Sequence, residues 1–428
     1  MAYGEAALLD FDDWTGGRSL STVGTNAGAA VLPFQSWRHF KEAFAPELVE
    51  QAMRETPGVV RHIVDPFGGS GTTALAAQFL GVRPTTIEVN PFLADLIEAK
   101  IGTLDLNRAA IVLRTVVEDV TGSLLPPKLV FAGAPSTFIE PGKDGRWIFS
   151  RAVAARILAY RSSIEAVADP NIQRLFRVIL ASALIPVSNV TVSGKGRRYR
   201  DGWERRRSSP DLVDRLFREG VAQALYDLRR YGARRCREYT VLRGDARDLA
   251  SSVGAHDLAV FSPPYPNSFD YTDVYNVELW AMGYLNGRAA NLALRKSTFR
   301  SHVQIFRDMS HADLQSPLLN KTIAALREVR SQLWNRHIPE MIGAYISDMA
   351  TVLRGLMVGL RFGGRVYMVV GDSRYATIDV GVGEILAELA PSLAYRVVRL
   401  EPCRSMRASP QQGGCRELAE TLAVLERC

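Results

Sequence analysis

The chain has 428 residues, of which 47% are hydrophobic and 23% are charged, the ordinary composition of a soluble globular protein. Its length allows one large domain with a substantial insertion, or two domains. No stretch approaches the roughly 18 uninterrupted apolar residues that a membrane helix requires, and the N-terminus shows no basic segment leading into an apolar run. We therefore predict a cytoplasmic protein with no membrane partner. The formal net charge of +7 permits a polyanionic partner without identifying it.

The cysteine pattern gives no sign of a metal centre. Cys236, Cys403, Cys415 and Cys428 form no CxxC pair, and no histidines stand near them at the spacing of a zinc site. We predict no metal site and interpret the four cysteines as reduced, structural thiols.

The first hundred residues predict the start of a parallel α/β sheet. A glycine-rich, loop-like opening is followed by a helical pattern over SWRHFKEAFAPELVEQAMRE, residues 36–55. Residues 61–100 then read as strand, glycine turn, helix, strand and helix. Short β-branched runs that alternate with helices are typical of such a sheet.

The rest of the chain predicts an insertion and then the return of the sheet. Residues from about 105 to 235 are mainly helical, and later strands are expected in YTVLRGDA, HDLAVFSPPY and GGRVYMVVGDS, the last after a helix over Glu340–Leu360. RVVRLEP and ETLAVLER can supply final antiparallel or edge strands. The simplest fold is a doubly wound α/β sheet interrupted by a mainly helical insertion. We assign residues 1–104 and 238–428 to the sheet domain and residues 105–237 to the insertion.

A glycine turn, DPFGGSGTT at residues 65–73, follows the apolar run RHIVD and precedes a helix that is expected to start near Thr72. Its three glycines allow a tight turn with positive backbone angles and a close approach of a ligand to the main chain. Ser70, Thr72 and Thr73 can cap the helix. No lysine follows Gly71 as in the Walker pattern, and the third glycine of GxGxxG is missing, so a nucleoside without phosphates fits better than a nucleotide. A plain strand-to-helix turn is the alternative.

Two acidic residues follow predicted strands. Glu88 stands in IEVNP, about 20 positions after the glycine turn, where it can accept hydrogen bonds from ribose hydroxyls. Asp245 stands in GDAR at the carboxyl end of a strand, where open α/β sheets bind ligands and a carboxylate can accept from an adenine amino group. The alternative for Asp245 is a turn residue that caps a helix after Arg247.

The segment SPPY, residues 262–265, directly follows the predicted strand HDLAVF. Two consecutive prolines cannot continue the hydrogen-bonded ladder, so the chain leaves the sheet in a rigid conformation. Ser262 and the carbonyl of Pro263 can accept hydrogen bonds from an exocyclic amino group, and Tyr265 can stack on the same base, which is worth about 1–3 kcal/mol. Accepting these N–H hydrogens directs the nitrogen lone pair at a methyl donor. A proline-rich strand exit without chemistry is the alternative.

Together these elements resemble the amino-methylating DNA methyltransferases, which modify cytosine-N4 or adenine-N6. DPFGGSGTT is similar to the family's cofactor motif, close to DPFxGSGTT, while IEVNP and GDAR resemble its ribose- and adenine-contacting elements. SPPYPNSFDY resembles the catalytic tetrapeptide and its loop, and SWRHFKEAFAPELV resembles the helix that closes over the methionine end of the cofactor. The chain departs from the pattern at Gly69, where many relatives have a small residue or Cys, and in the long stretch between IEVNP and GDAR.

The resemblance implies a Rossmann-like methyltransferase sheet, S-adenosylmethionine as cofactor, and a base flipped out of the duplex. The implied catalytic residues are Ser262, Pro263, Pro264 and Tyr265. The implied cofactor-binding residues are Asp65, Phe67, Gly68, Gly69, Ser70, Gly71, Thr72, Thr73, Glu88, Asn90 and Asp245. The interpretation requires the proline-stiffened loop and the glycine-lined pocket to open onto one cleft at a single rim of the sheet.

The resemblance also implies a target base, through the first residue of the tetrapeptide. Ser262 favours cytosine-N4, because family members with Asp or Asn there usually methylate adenine. Adenine-N6 methylation, an RNA or protein amino-methyltransferase and an inactive nucleic-acid-binding relative are the alternatives. Carbon-5 methylation would need a nucleophilic Cys in a Pro-Cys context. Cys403 follows Pro402, but in a late strand-like segment, and we interpret it as structural.

Basic residues make the insertion a candidate DNA-recognition module. The segment SGKGRRYR suits phosphate contacts, and the basic residues 205–207 follow it. A solvated basic loop is the alternative. A second basic segment, Arg295–His302, could approach the target from the other side. The implied partner is double-stranded DNA, with a cognate restriction or defence protein as a family-level expectation. The candidate DNA-binding residues are Lys195, Arg197, Arg198 and Arg200.

Overall fold

The structure, a computed structural model of the chain, describes residues 8–18, 28–38, 43–122, 130–192, 196–267, 269–312, 314–407 and 417–428. Two residues named from the sequence, Lys195 and Cys415, lie outside the described residues.

A seven-stranded mixed sheet forms the centre of the fold. The strands of the described residues, inside and outside this sheet, are in chain order β1 (His62–Asp65), β2 (Arg83–Glu88), β3 (Val190–Val192), β4 (Arg197–Tyr199), β5 (Thr240–Arg243), β6 (His256–Phe261), β7 (Leu360–Gly371), β8 (Ser373–Tyr375), β9 (Ile378–Val380), β10 (Tyr395–Arg407) and β11 (Glu417–Arg427). Strands β3 and β4 form one separate two-stranded sheet, and β8 and β9 form another. The order across the large sheet is β10–β11–β7–β6–β1–β2–β5. Its strands pair in parallel from β7 to β5, whereas β11 runs antiparallel between β7 and β10. The predicted doubly wound sheet with a final antiparallel strand is confirmed.

Helices cover both faces of this sheet. In chain order they are α1 (Phe11–Thr15), α2 (Glu47–Glu55), α3 (Thr72–Phe79), α4 (Pro91–Ile101), α5 (Leu106–Gly122), α6 (Arg151–Glu165), α7 (Pro170–Val187), α8 (Pro210–Tyr231), α9 (Ala246–Leu249), α10 (Tyr271–Val274), α11 (Asn276–Ala281), α12 (Arg288–Ser297), α13 (Pro317–Glu328), α14 (Ile338–Gly359) and α15 (Val382–Leu389). Successive residues of β1 point to opposite faces. Ile63 therefore packs in one buried cluster with α3 and α4, and Val64 packs in another with α14 and α15.

The helical insertion leaves the sheet after α4 and returns to it at β5. Its helices α5, α6, α7 and α8 pack on one another. Buried side chains of these helices, such as Phe176, Phe217 and Val221, belong to the same cluster as Ile63. The insertion thus shares a core with one face of the sheet. The domain bounds drawn from the sequence stay a prediction.

Helix α2 is shorter than the sequence pattern predicts. The pattern covers residues 36–55, but α2 begins at Glu47 with Pro46 as its N-cap residue, and residues 43–45 are not helical. Proline disfavours the helical conformation in the residue before it, so the helix does not extend back through Pro46. Phe44 is left in a non-helical segment, from which its ring reaches the cavity described below.

Helix α14 is the one described helix that is long and apolar enough to cross a membrane, with a mean hydropathy of 1.3 over its apolar window. Of that window, 72% is buried inside the fold. The helix also carries Asp348, which is buried and forms ion pairs with Arg247 and Arg300. These contacts make α14 a core helix of the sheet domain.

Candidate active site

Four predicted site residues stand at the carboxyl ends of four neighbouring strands. Asp65 ends β1, Glu88 ends β2, Asp245 follows β5 and Ser262 follows β6. The strands lie in the order β6–β1–β2–β5 and run in parallel, so these ends meet at one edge of the sheet. The chain continues from β1 to β2 on one side while β6 lies on the other, which opens a crevice of the kind that binds ligands in open α/β sheets.

A cavity of about 370 Å³ occupies this crevice. Gly71 and Thr73 are not part of its lining. The predicted residues that do line it are Asp65, Phe67, Gly68, Gly69, Ser70, Thr72, Glu88, Asn90, Asp245, Ser262, Pro263, Pro264 and Tyr265. The structure therefore brings the proline-stiffened loop and the glycine turn onto one cleft, as the sequence interpretation requires.

The glycine turn depends on its glycines for two different reasons. Gly69 and Gly71 have positive φ angles of 52° and 80°, which strain a residue that has a Cβ. Gly68 does not have the positive φ angle that a glycine would allow. A Cβ at Gly68 would instead lie 2.4 Å from Thr86 Cγ2 and 2.7 Å from Ile97 Cδ1. Gly68 thus lets the turn pack closely against β2 and α4.

The hydroxyls of the turn do not cap helix α3, contrary to the sequence prediction. The N-cap residue is Gly71, which has no side chain to accept a hydrogen bond. The hydroxyl oxygens of Ser70 and Thr72 instead lie 3.0 Å apart. Thr73 donates to the carbonyl of Val260 over 3.1 Å and so ties α3 to the strand that leads to SPPY.

Two buried carboxylates stand at the base of the cavity. Glu88 accepts hydrogen bonds from the backbone N–H groups of Gly69 and Asn90, both over 2.7 Å, and Asp65 accepts from the N–H of Phe67 over 2.9 Å. Desolvation by burial disfavours the charged form and raises the pKa of Asp65 and that of Glu88 to about 7. Both carboxyls therefore titrate near neutral pH, and a cation bound beside them would favour their ionised forms.

A buried lysine supports the glycine turn from behind. Lys100 Nζ donates to the carbonyl of Ser70 over 2.7 Å and to Gln35 Oε1 over 3.0 Å. Gln35 in turn donates to the hydroxyl of Thr72 over 3.3 Å. Burial lowers the pKa of Lys100 to about 7. Sequence reasoning missed this residue, because nothing in the helical pattern around it shows that its amine points inward.

Asp245 has the contacts of the helix-capping alternative. Its carboxylate accepts from the N–H of Arg247 over 2.9 Å as the N-cap of α9, and the Arg247 guanidinium binds both of its oxygens. Arg247 also pairs with Asp348. Asp245 still lines the cavity. Its contact with an adenine amino group stays a prediction.

The first residue of SPPY is oriented by the neighbouring strand. Ser262 Oγ lies 2.9 Å from the carbonyl oxygen of Val369 in β7 and 3.3 Å from the hydroxyl of Tyr265. Since a carbonyl oxygen can only accept, Ser262 donates its hydrogen in the shorter bond. The serine oxygen keeps lone pairs with which it can accept an N–H hydrogen.

Glu420 is a cavity residue that sequence reasoning missed. The Tyr265 hydroxyl donates to Glu420 Oε1 over 2.9 Å, and burial beside this carboxylate raises the pKa of Tyr265 well above its usual value. The only sequence signal was an acidic residue at the start of the apolar run ETLAVLER.

The loop that follows the tetrapeptide is held by two hydroxyl groups. Those of Ser373 and Tyr375 donate to the carbonyl of Pro266 over 2.8 and 2.7 Å.

The cavity wall is acidic. Asp65, Glu88, Asp245 and Glu420 line it, and no lysine or arginine of the described ranges does. His302 also lines it, and burial lowers the pKa of this imidazole. Such a wall attracts a cation and repels phosphate groups. This agrees with the sequence interpretation of a nucleoside ligand without phosphates.

The residues predicted to contact DNA differ in exposure. Arg198 is exposed on β4. Arg200 is half-buried and donates to the carbonyls of Ile185 and Ser188 over 3.1 and 3.4 Å. Arg197 is half-buried, with one buried guanidinium nitrogen that finds no hydrogen-bond partner within the described ranges.

The second basic segment is used inside the protein. Arg295 pairs with Asp270 over 2.5 Å, and Arg300 pairs with Asp348 over 2.6 Å. Both acidic partners are buried. The charges of these two arginines are therefore balanced by the fold, which the local sequence did not indicate.

The strand order with its reversed β11, and the ligand cavity at the carboxyl ends of β1 and β2, define a Rossmann-like α/β methyltransferase fold. In sequence, the chain is similar to the Type II methyltransferase M.AvaI of Nostoc sp. (strain PCC 7120 / SAG 25.82 / UTEX 2576), with 25% identity over 398 residues that cover 86% of this chain and 80% of that protein. It is also similar to the Type II methyltransferase M.BsoBI of Geobacillus stearothermophilus, with 20% identity over 426 residues that cover 88% and 81%. These similarities support an enzyme that transfers methyl groups.

No protein-family model matches the chain. Among solved structures, the rRNA methyltransferase aviRa from Streptomyces viridochromogenes aligns with 90% of this chain and 85% of that chain, at 12% identity and with a TM-score of 0.27.

The methyltransferase relatives imply S-adenosylmethionine as methyl donor, and the cavity suits that molecule. It is a nucleoside that carries a sulfonium cation and no phosphate. The acidic wall suits the cation, the Glu88 carboxylate at the end of β2 can accept from ribose hydroxyls, and the turn at Gly69 exposes main chain to the cavity. The residues present therefore fit the cofactor.

Proposed function

We propose that the chain is an S-adenosylmethionine-dependent DNA methyltransferase that acts on the exocyclic amino group of a flipped base, most favourably cytosine-N4. The observation that carries the proposal is the shared cavity of about 370 Å³. SPPY lines one part of it, and the glycine turn with Glu88 lines another. An amine held by SPPY is thus next to the space for a methyl donor.

The cofactor half of the site binds and orients. Bound S-adenosylmethionine supplies an electrophilic methyl group on its sulfonium sulfur. In the proposal, Glu88 accepts from the ribose hydroxyls, Asp245 accepts from the adenine amino group, and the main chain at Gly68 and Gly69 contacts the cofactor closely. The remaining residues of the turn and Asn90 hold the cofactor-contacting groups in position. The hydrogen bonds from the N–H groups of Gly69 and Asn90 to the Glu88 carboxylate support the role given to Glu88.

The target half of the site prepares the amine. Ser262 Oγ and the carbonyl of Pro263 accept the two N–H hydrogens, which makes the nitrogen more tetrahedral and directs its lone pair at the methyl carbon. The ring of Tyr265 stacks on the base, and Pro264 stiffens the loop. An amine held in this way would be placed to take the methyl group that bound S-adenosylmethionine would supply, and it would release one proton to water.

Double-stranded DNA is the proposed substrate, and a cytoplasmic location goes with it. The relatives named Type II methyltransferases support DNA as the partner, since enzymes of that type act on DNA. Ser262, a neutral hydrogen-bond acceptor, favours cytosine-N4 by resemblance. A cognate restriction or defence protein is a family-level expectation of the same proposal.

The experiment measures transfer of labelled methyl from S-adenosylmethionine to unmethylated duplex DNA, to RNA and to protein, followed by nuclease digestion and mass spectrometry of the nucleosides. We expect label in DNA only, recovered as N4-methylcytosine. N6-methyladenine would keep the reaction class and change the base. Label in RNA or protein without label in DNA would reject the DNA assignment.

A matched control separates an inactive preparation from a wrong assignment. The Ser262→Ala variant should bind the cofactor with unchanged affinity and label DNA ~100-fold more slowly than wild type. A wild-type protein that binds the cofactor but labels none of the three substrates would instead support the alternative of an inactive nucleic-acid-binding relative.

A further inference from the structure

Three aromatic side chains meet where the hairpin of β3 and β4 lies beside residues 139–149, which we call the turn segment. The rings of Trp147 and Trp203 pack edge to face with their centroids 5.2 Å apart. The centroid of the Tyr199 ring lies 4.8 Å from the centroid of the Trp203 ring. All three side chains are half-buried, so part of each ring remains at the surface. We call these three residues the aromatic platform.

Asn189 joins the hairpin and the turn segment into one surface. Its backbone N–H donates to the carbonyl of Ile148 over 2.8 Å, and its side-chain amide donates to the carbonyl of Trp147 over 3.3 Å. The turn segment folds tightly on itself at Gly142, where a Cβ would lie 1.8 Å from the carbonyl oxygen of Arg146. The aromatic platform therefore rests on backbone that is held by hydrogen bonds.

Positive charge surrounds the aromatic platform. Residues 139–149 and 196–207 together hold eight basic and four acidic side chains. Arg207 lies over the ring of Trp147, with its guanidinium carbon 5.7 Å from the ring centroid. Within the described ranges, the exposed members of this group form no ion pair. These members, which we call the basic rim, are Lys143, Arg146, Arg198, Arg205 and Arg207.

The other arginines of the region hold the hairpin to the fold. Arg200 donates to the carbonyls of Ile185 and Ser188, and Arg206 donates to the carbonyl of Pro186 over 2.7 Å. These carbonyls lie at the end of α7, where helix geometry leaves carbonyl groups without helical partners. A cation there also suits the helix dipole. The basic residues of the segment are thus divided between an inner, structural set and the basic rim.

Helix α7 links the hairpin of β3 and β4 to the helices at the cavity. Strand β3 packs against α7, and α7 packs against α11, which follows α10 in the chain. The positive charge of Arg197 partly opposes the rise that burial causes in the pKa of Asp273 in α10 and of Glu278 in α11, which agrees with this packing. Thr272 and Tyr275, from the same helical segment, line the cavity. A duplex held on this surface would lie where a flipped base can enter the cleft.

From this arrangement we infer that the aromatic platform and the basic rim form the main duplex-DNA grip of the chain. The inference rests on the proposed function, which supplies duplex DNA as the partner. Exposed arginines can contact phosphates, and a guanidinium already held over a ring loses less freedom on binding. Arg198 is then a phosphate contact, whereas Arg200 holds the hairpin to the end of α7.

The first test removes charge from the basic rim of the full-length protein. The triple variant R146Q/R198Q/R205Q is compared with wild type for its dissociation constant with a fluorescent duplex over a range of KCl concentrations. We expect at least ~10-fold weaker binding near ~100 mM salt. The slope of log affinity against log salt should fall by about 2 to 3, since each lost phosphate contact removes about 0.9.

The matched control removes the same charge from the other face of the sheet. The triple variant K321Q/R336Q/R354Q alters three exposed basic residues on or between α13 and α14. It should stay within ~2-fold of wild type with an unchanged salt slope, because it removes no phosphate contact. Both variants should bind S-adenosylmethionine normally, which shows that they are folded.

A second pair of variants tests the aromatic platform without altering charge. Trp147→Ala removes the ring beneath Arg207 and should weaken duplex binding several-fold while the salt slope stays unchanged. Trp334→Ala removes an exposed tryptophan outside the insertion and should have no effect. The inference would be overturned if the two triple variants, or the two tryptophan variants, weakened duplex binding equally. It would also be overturned if R146Q/R198Q/R205Q bound the duplex as tightly as wild type. A wild-type protein that binds no duplex at low salt would overturn the proposed function as well.

Discussion

The hydroxyl of Tyr265 donates a 2.9 Å hydrogen bond to Glu420 across the wall of the cavity. Tyr265 lies in the loop after β6, Glu420 lies in β11, and β7 runs between those two strands. Ser262 bonds to the carbonyl of Val369 in that intervening strand. Strand β7 thus fixes Ser262 and strand β11 fixes Tyr265, the two SPPY side chains that the proposed reaction uses.

Loss of the Tyr265 hydroxyl should therefore slow turnover without changing the affinity for S-adenosylmethionine. Tyr265→Phe keeps the stacking ring but frees its orientation, and we expect kcat to fall ~10-fold because the base is aligned less well. Tyr265→Ala also removes stacking and should cost ~100-fold or more. Single-turnover methylation measures both effects. Glu420→Gln, which retains an acceptor oxygen for the Tyr265 hydroxyl, should be milder than Glu420→Ala. Normal turnover in Tyr265→Ala would exclude a catalytic role.

Ser262→Ala tests the hydrogen bond to the target amine. The variant removes one acceptor and keeps the prolines, so we expect kcat to fall ~100-fold while the affinity for S-adenosylmethionine stays unchanged. Ser373→Ala is a matched control, since the Ser373 hydroxyl holds the carbonyl of Pro266 in the same loop. It should reduce kcat only a few-fold. A similar loss in both variants would show that Ser262 acts through loop structure rather than through the amine.

Affinity for S-adenosylmethionine should depend on pH. Burial raises the pKa of Asp65 and of Glu88 to about 7, and a bound sulfonium favours their ionised forms. Binding below that pKa therefore releases protons, so affinity rises with pH and levels off above about 7. Lys100, whose pKa burial lowers to about 7, acts in the same direction as it loses its charge. The change is at most ~10-fold per pH unit for each proton released.

Calorimetry in two buffers of different ionisation enthalpy counts those protons directly. We expect net release at pH 6 and almost none at pH 8.5. Glu88→Gln keeps one acceptor oxygen, cannot ionise, and should release fewer protons at pH 6. An affinity for S-adenosylmethionine that is independent of pH between 5.5 and 8 would contradict the electrostatic role given to the two carboxyls.

Local sequence patterns predicted the strand-end residues of the site because their positions follow from the strands themselves. Asp65, Glu88 and Ser262 each end or follow a strand, and parallel strands bring such ends to one edge. Glu420 and Lys100 were missed because their roles depend on contacts with residues far away in the chain. Local sequence also could not distinguish Arg198 from Arg200, since their sequence surroundings are similar. Arg200 is half-buried because it contacts the end of α7, whereas Arg198 is exposed.

Gly68 offers a test of how closely the glycine turn packs. A Cβ there would lie 2.4 Å from Thr86 Cγ2 and 2.7 Å from Ile97 Cδ1. Gly68→Ala should therefore lower the free energy of unfolding by ~1–3 kcal/mol through overpacking, and it should weaken S-adenosylmethionine binding as the turn shifts. Gly122→Ala is the control, because nothing lies within 4 Å of the added Cβ. Its free energy of unfolding should not fall below that of wild type.

The cause of the Gly68→Ala loss can be separated from a general effect on the turn. Thr86→Ser removes the methyl group that the new Cβ would meet, so Gly68→Ala should cost less free energy of unfolding in that background than in wild type. Urea denaturation of the two single variants and the double variant measures this coupling. Independent, additive costs would show that the turn does not rest on Thr86, and the close packing against β2 would then not explain why residue 68 is glycine.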